Sequence, residues 1–157
     1  LLALLLAAAS TRELLMAVSG FTVAHSITLT LAALGFAAVP GWIVEPAIAA
    51  SVVWAGLENL RPSPPRRRVV ITALLGLVHG LGFAGLLAEL GLPTADRTLA
   101  LAGFHAGVEV GQLALVLPAI PLVLLARKDP RWMSKVVPVL SVGIALTGAW
   151  WLFERVV

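Results

Sequence analysis

The stretch LALAGFHAGVEVGQLALVLPAIPLVLL, residues 99–125, decides the fold class. It is 27 residues long, contains no Lys or Arg, and has one carboxylate, Glu109. A helix crossing the hydrocarbon core needs about 20 predominantly apolar residues, so this run is long enough to span. Its prolines, Pro118 and Pro121, are tolerated in membrane helices, where neighbouring groups re-satisfy the freed carbonyls. Working outward, four more apolar runs appear at residues 14–39, 43–60, 69–90 and 136–153. In lipid every backbone N–H and C=O must be paired within the structure, so each run is expected to be a helix. No run shows the short apolar–polar alternation of a barrel strand. The expected fold is therefore an all-α, polytopic transmembrane helix bundle with five full spans, and residues 1–157 form a single transmembrane domain.

Composition agrees. Of 157 residues, 60% are hydrophobic and 12% charged, with a mean hydropathy of +1.01. Soluble domains carry about 25% charged residues, so a soluble enzyme, a disordered tail and a disulfide-rich module are all excluded. The absence of Cys removes thiolate chemistry. The net charge of +3 does not suggest a nucleic-acid partner, because the basic residues lie between apolar runs rather than along one folded face.

Residues 1–9 are apolar but too short to span. Two readings compete. Ala7-Ala8-Ala9 could be the cleavage region of a signal peptide, or residues 1–9 could be the remnant of a helix whose beginning is missing. The absence of a basic n-region favours the second.

Positive charge sets the expected orientation. Residues 61–68 and 126–135 hold eight of the eleven Lys and Arg residues. Basic loops stay inside, so both are expected on the cytoplasmic side and the C-terminus outside. Trp42, Trp132, Trp150 and Trp151 lie near span ends, as an aromatic belt would; Trp54 is expected to pack internally.

The residues that carry functional information are those in the wrong solvent. Ionisable side chains at mid-membrane cost roughly 2.5–3.5 kcal/mol each on insertion scales and usually face the bundle interior. His25, His79, His105 and Glu109 lie deep in their runs, and Glu109 is expected to be the one deeply buried carboxylate. Ser19, Thr22, Ser26 and Thr30 share one helical face with His25 at its edge. They either line a polar cavity or bond back to carbonyls one turn earlier. His105 and Glu109 are one turn apart and can meet one ion together, or form a neutral hydrogen bond that holds two helices together. Gln112 lies on the same face. On the opposite face Gly103, Gly107 and Gly111 form a small-residue stripe that would let another helix approach. Gly76 and Gly80 do the same beside His79, where the glycines mark either tight packing or a site. Glu58 either pairs with Arg61 at the cytoplasmic end or belongs to a polar path. His and carboxylate ligands suit borderline divalent ions. With only Met16 and Met133 and no Cys, copper(I) is disfavoured.

These residues resemble a known family. Phe21-Thr22-Val23-Ala24-His25-Ser26-Ile27-Thr28-Leu29, Glu58-Asn59-Leu60, Leu77-Val78-His79-Gly80-Leu81-Gly82-Phe83-Ala84 and Gly107-Val108-Glu109-Val110-Gly111-Gln112 are similar to motifs of the HupE/UreJ family, in order and spacing. Gly91-Leu92-Pro93 fits as well. The resemblance implies a small multi-pass protein of the bacterial inner membrane, of the nickel/cobalt permease type, associated with metal supply to hydrogenase and urease. Carried over, the matching positions are His25, Glu58, His79, Glu109 and Gln112. His105 departs from the family pattern, in which Asn is common. The family also carries a His and an Asp-His pair in a helix preceding residues 1–9, which supports the remnant reading.

The expected function is that of a permease for a divalent metal, nickel or cobalt ahead of zinc, not an enzyme. Its metal ligands would be His25, His79, His105 and Glu109. Thr22, Ser26, Glu58 and Gln112 would be pathway or structural polar groups. No tightly bound cofactor is expected. The bilayer, a homo-oligomer and metalloenzyme-maturation proteins are the expected partners. Two alternatives stay open: an intramembrane metal-dependent hydrolase activating water at a His/Glu site, and a non-transporting assembly or chaperone subunit. Neither Gly-x-Ser-x-Gly nor His-Glu-x-x-His occurs in the chain to support the hydrolase.

Overall fold

A computed structural model describes residues 3, 6, 10–37, 39–61, 63–89 and 94–157, with side chains outside 83–98. Expectations for residues 1–9 as a segment and for Gly91-Leu92-Pro93 lie outside what is described. The described residues form five helices and no strand: α1 Thr11–Ala33, α2 Gly41–Asn59, α3 Pro65–Glu89, α4 Thr94–Ala126 and α5 Val137–Val156. A π-helical turn, Trp132–Val136, leads into α5.

The ends of α1 follow from local chemistry. Ser10 caps it, its hydroxyl accepting from the Glu13 amide at 3.1 Å, and Ser10-x-x-Glu13 has capping-box spacing. The helix stops at Ala33, short of the apolar run's end at 39. Gly35 takes a left-handed φ of +82°. The Phe36 N–H then bonds the Leu31 carbonyl and the Gly35 N–H bonds Ala32, a closure that only a residue without Cβ adopts readily.

Among the described residues, three helical stretches are long and apolar enough to cross a membrane: Thr11–Ala33, Leu99–Ala126 and Trp132–Val156. The other two carry more polar ends. α2 holds Glu45 and Glu58, and α3 opens on Arg66, Arg67 and Arg68. The large apolar side chains left on the surface, among them Val23, Trp54, Leu117, Leu146 and Trp150, are what a lipid-facing exterior requires. Trp54, expected inside, is one of them. It points off the outer face of α2.

Helices in lipid gain little from burying apolar surface against each other, so close backbone approach holds the bundle. Two seams do this. α1 lies along α3, where a methyl at Gly76 would overlap the Phe21 carbonyl and one at Gly80 would overlap Thr28 Oγ1 and the His25 carbonyl. α2 lies along α5, where a methyl at Gly56 would stand 2.7 Å from the Ser141 carbonyl and one at Gly148 2.7 Å from the Val53 amide. By contrast α4 is only 6% buried over its apolar window. The Gly103, Gly107 and Gly111 stripe has nothing within 4 Å of where a Cβ would sit, so among the described residues no helix approaches it.

Ion pairs fix which helix ends lie together. Glu13 at the start of α1 pairs with Arg68 at the start of α3 at 3.7 Å. Glu58 at the end of α2 pairs with Arg67 at 3.2 Å. At the opposite end, Arg155 of α5 lies 3.6 Å from Glu45 of α2. The helices therefore alternate in direction, and the Arg-rich segment between α2 and α3 sits beside the start of α1.

Candidate functional site

Phe21 is where two of the candidate histidines, His25 and His79, come together. Its ring stacks on His25, with centroids 5.9 Å apart and planes at 11°. It also meets His79 of α3 at 5.5 Å and 60°. The glycines of α3 permit this, since Gly76 lies directly against the Phe21 backbone. His25 is almost fully buried, at 3% exposure. α1 and α3 thus bring two of the three candidate imidazoles against one phenyl ring, while His105 is carried by α4.

Two of these rings are locked. His79 Nδ1 lies 2.9 Å from the Leu75 carbonyl, and His105 Nδ1 lies 2.9 Å from the Leu101 carbonyl. A carbonyl oxygen only accepts, so each Nδ1 carries the proton and donates it. In the neutral ring this leaves the lone pair on Nε2, the arrangement metal-binding histidines use to fix tautomer and ring orientation. His105 Nε2 is buried with no hydrogen-bond partner among the described residues.

Glu109 does not share this burial. It is exposed and lines a cleft of about 330 Å³ between α1 and α4, with Ser19 and Thr22 on one wall and Gln112 on the other. Thr22 Oγ1 donates to Gln112 Oε1 at 2.7 Å across the cleft, so the polar faces of the two helices do meet. Ser26 is half-buried on the same helix. Thr28, beyond the stripe, bonds back to the Ala24 and His25 carbonyls at 3.2 Å. Among the described residues no three His, Asp or Glu side chains stand close enough together to hold a metal ion.

Among the described residues the deeply buried carboxylates are Glu13 and Glu58, at 3% and 6% exposure, not Glu109. Glu58 pairs with Arg67 rather than Arg61 and also accepts from Ser63. Glu13 and Glu58 line one enclosed cavity of about 20 Å³ with Asn59, Arg68 and Thr72. Arg127, just past α4, joins this end. Burial lowers its pKa from the ordinary arginine value, and nearby Glu13 opposes the shift. Neither the burial of Glu13 nor the contacts of Phe21 are among the sequence expectations. The signal for Phe21 was its place one turn before His25; for Glu13 there was none beyond its capping-box spacing.

The model for the HupE/UreJ protein family matches residues 1–155, essentially the whole chain. The chain belongs to the HupE/UreJ family. No curated protein and no solved structure matches it. HupE/UreJ proteins are associated with nickel and cobalt transport, a transporter-type rather than an enzyme family. Metal handling and insertion in a membrane are accordingly the setting in which the histidines are read.

Proposed function

We propose that this HupE/UreJ protein is a permease for a divalent transition metal, nickel or cobalt. His25, His79, His105 and Glu109 act as successive or shared ligands along its path. Thr22, Ser26 and Gln112 line the route beside them, and Glu58 stands near its inner exit. The observation that supports this reading is the pair of imidazoles that α1 and α3 bring against Phe21, together with the Nδ1 anchoring of His79 and His105 to backbone carbonyls. Neutral imidazole nitrogens select borderline divalent ions, and a transport site has to release its ion, so incomplete coordination in one conformation is compatible with passage. In the same reading the Arg-rich end faces the cytoplasm and the C-terminus lies outside. Inward movement of a divalent cation would then be driven by about 2.3 kcal/mol per charge per 100 mV.

Uptake of radioactive nickel or cobalt by cells expressing the protein tests this. Uptake above the vector control, lost in His79→Ala and His25→Ala at unchanged membrane abundance, is the expected result. Equal accumulation in wild type and in alanine variants of all four ligand positions would sink the proposal.

A further inference from the structure

We infer that Phe21 is a positioning residue for the histidine site: its ring sets the orientation in which His25 and His79 present themselves to a divalent cation. The inference rests on the metal-permease reading above for its ligand, but its geometry stands on the contacts themselves.

Phe21 touches both imidazoles and coordinates nothing itself. The offset, near-parallel contact with His25, planes at 11°, fixes the angle of that ring. The tilted contact with His79, planes at 60°, fixes the second ring at a different angle. A near-parallel and a tilted contact on one phenyl ring place the two imidazoles in non-parallel planes, so that their edges are not forced to point the same way.

The phenyl ring is itself held. Phe21 is 9% exposed and belongs to one buried cluster with Ala55 of α2 and Ile71 and Leu75 of α3. Leu75 acts on both sides of the arrangement. Its side chain packs in the Phe21 cluster, while its carbonyl accepts the His79 Nδ1–H at 2.9 Å. Gly76, the next residue, lies against the Phe21 backbone too closely for any side chain. Movement of the Phe21 ring therefore disturbs His25 directly, and His79 both directly and through Leu75. Ring orientation matters because a metal–imidazole bond lies in the ring plane, along the Nε2 lone pair. Removing a group that orients a metal ligand typically weakens binding ten- to a hundred-fold.

The test uses the full chain in detergent or lipid nanodiscs, with cobalt(II) as the probe and its d–d absorption as the readout. Phe21→Leu keeps an apolar side chain but removes the aromatic face. Phe21→Tyr keeps the face. Val137→Ala, in the buried part of α5, is the packing control. The expected result is that Phe21→Leu binds cobalt about tenfold or more weakly with an altered d–d spectrum, Phe21→Tyr stays near wild type, and Val137→Ala lowers thermal stability without changing the spectrum. A metal-free arm reads the His25 and His79 imidazole resonances by NMR, where the ring-current shift from Phe21 should vanish in Phe21→Leu. Wild-type affinity and spectrum in Phe21→Leu would overturn the inference even if the protein transports metal. Should wild type bind no cobalt, the permease reading falls, and the NMR arm decides the orienting role: unchanged imidazole shifts in Phe21→Leu refute it.

Discussion

Removing the carboxylate of Glu13 leaves the Arg68 guanidinium, 15% exposed, facing a space that held its counter-charge. Breaking a buried pair from one side costs about 3–5 kcal/mol, because the remaining charge stays desolvated. At 3.7 Å the contact is long for a strong pair, so the loss for Glu13→Gln should be near 3 kcal/mol, at the low end of that range. The Glu58–Arg67 pair has the shorter distance, 3.2 Å, yet its arginine is 47% exposed. Removing the Glu58 charge therefore leaves a solvent-screened arginine, and Glu58→Gln should cost about 1 kcal/mol or less. Thermal unfolding in detergent separates the two. The exposure of the charge left behind rather than distance sets the order, so a larger loss for Glu58→Gln than for Glu13→Gln would refute the argument. Glu13 also shows what one-residue reading misses. Its place in the first turn of α1 explains a favourable interaction with the helix N-terminus, but nothing local indicates that α3 brings an arginine to it.

At the scale of helices, the α1–α3 seam was legible and the α2–α5 seam was not. Gly76 and Gly80 flank a mid-span His79, and their spacing by one turn already indicates a face made for close approach. The equivalent pattern on α5, Ser141, Ala145 and Gly148, is present in the sequence but carries no chemistry to draw notice. It meets Gly56 and Val53 of α2. The Gly103, Gly107 and Gly111 stripe has the same appearance and meets no helix among the described residues. Periodicity reports which residues share a face, not which faces find each other. The glycines of the real seam should therefore be intolerant. A methyl at Gly76 would overlap backbone, which cannot swing aside as a side chain can, so Gly76→Ala should cost about 1–3 kcal/mol or more. Gly20→Ala, where the nearest atom would be 3.7 Å away, should be close to neutral. Helicity and melting temperature of the two purified variants provide the comparison, and matched stability would show that the seam is looser than the geometry implies.

Across the whole molecule, five apolar runs became five helices, and the alternation inferred from basic residues agrees with which ends the ion pairs join. The candidate polar residues were legible in the sequence but their arrangement was not. His25 and His79 meet across Phe21, whereas Glu109 lies in a separate cleft beside Gln112 and Thr22. The difference arises at α4, the helix with the least burial inside the chain. Its position relative to α1 rests on few side chains, the Thr22–Gln112 hydrogen bond at 2.7 Å and the packing of Val116 with Leu14 and Val18. This makes α4 the element whose stability depends most on its own helix propensity. Alanine is favoured over glycine in a helix interior by about 0.8–1.0 kcal/mol, and a methyl at position 103, 107 or 111 meets nothing within 4 Å. The triple variant Gly103→Ala, Gly107→Ala, Gly111→Ala should then melt at or above the wild-type temperature in the isolated chain, while Gln112→Ala, which cuts the tie to α1, should lower it. A clear drop in the triple variant would mean that a surface outside these five helices needs those glycines bare, and that the free face of α4 is not free in the folded protein.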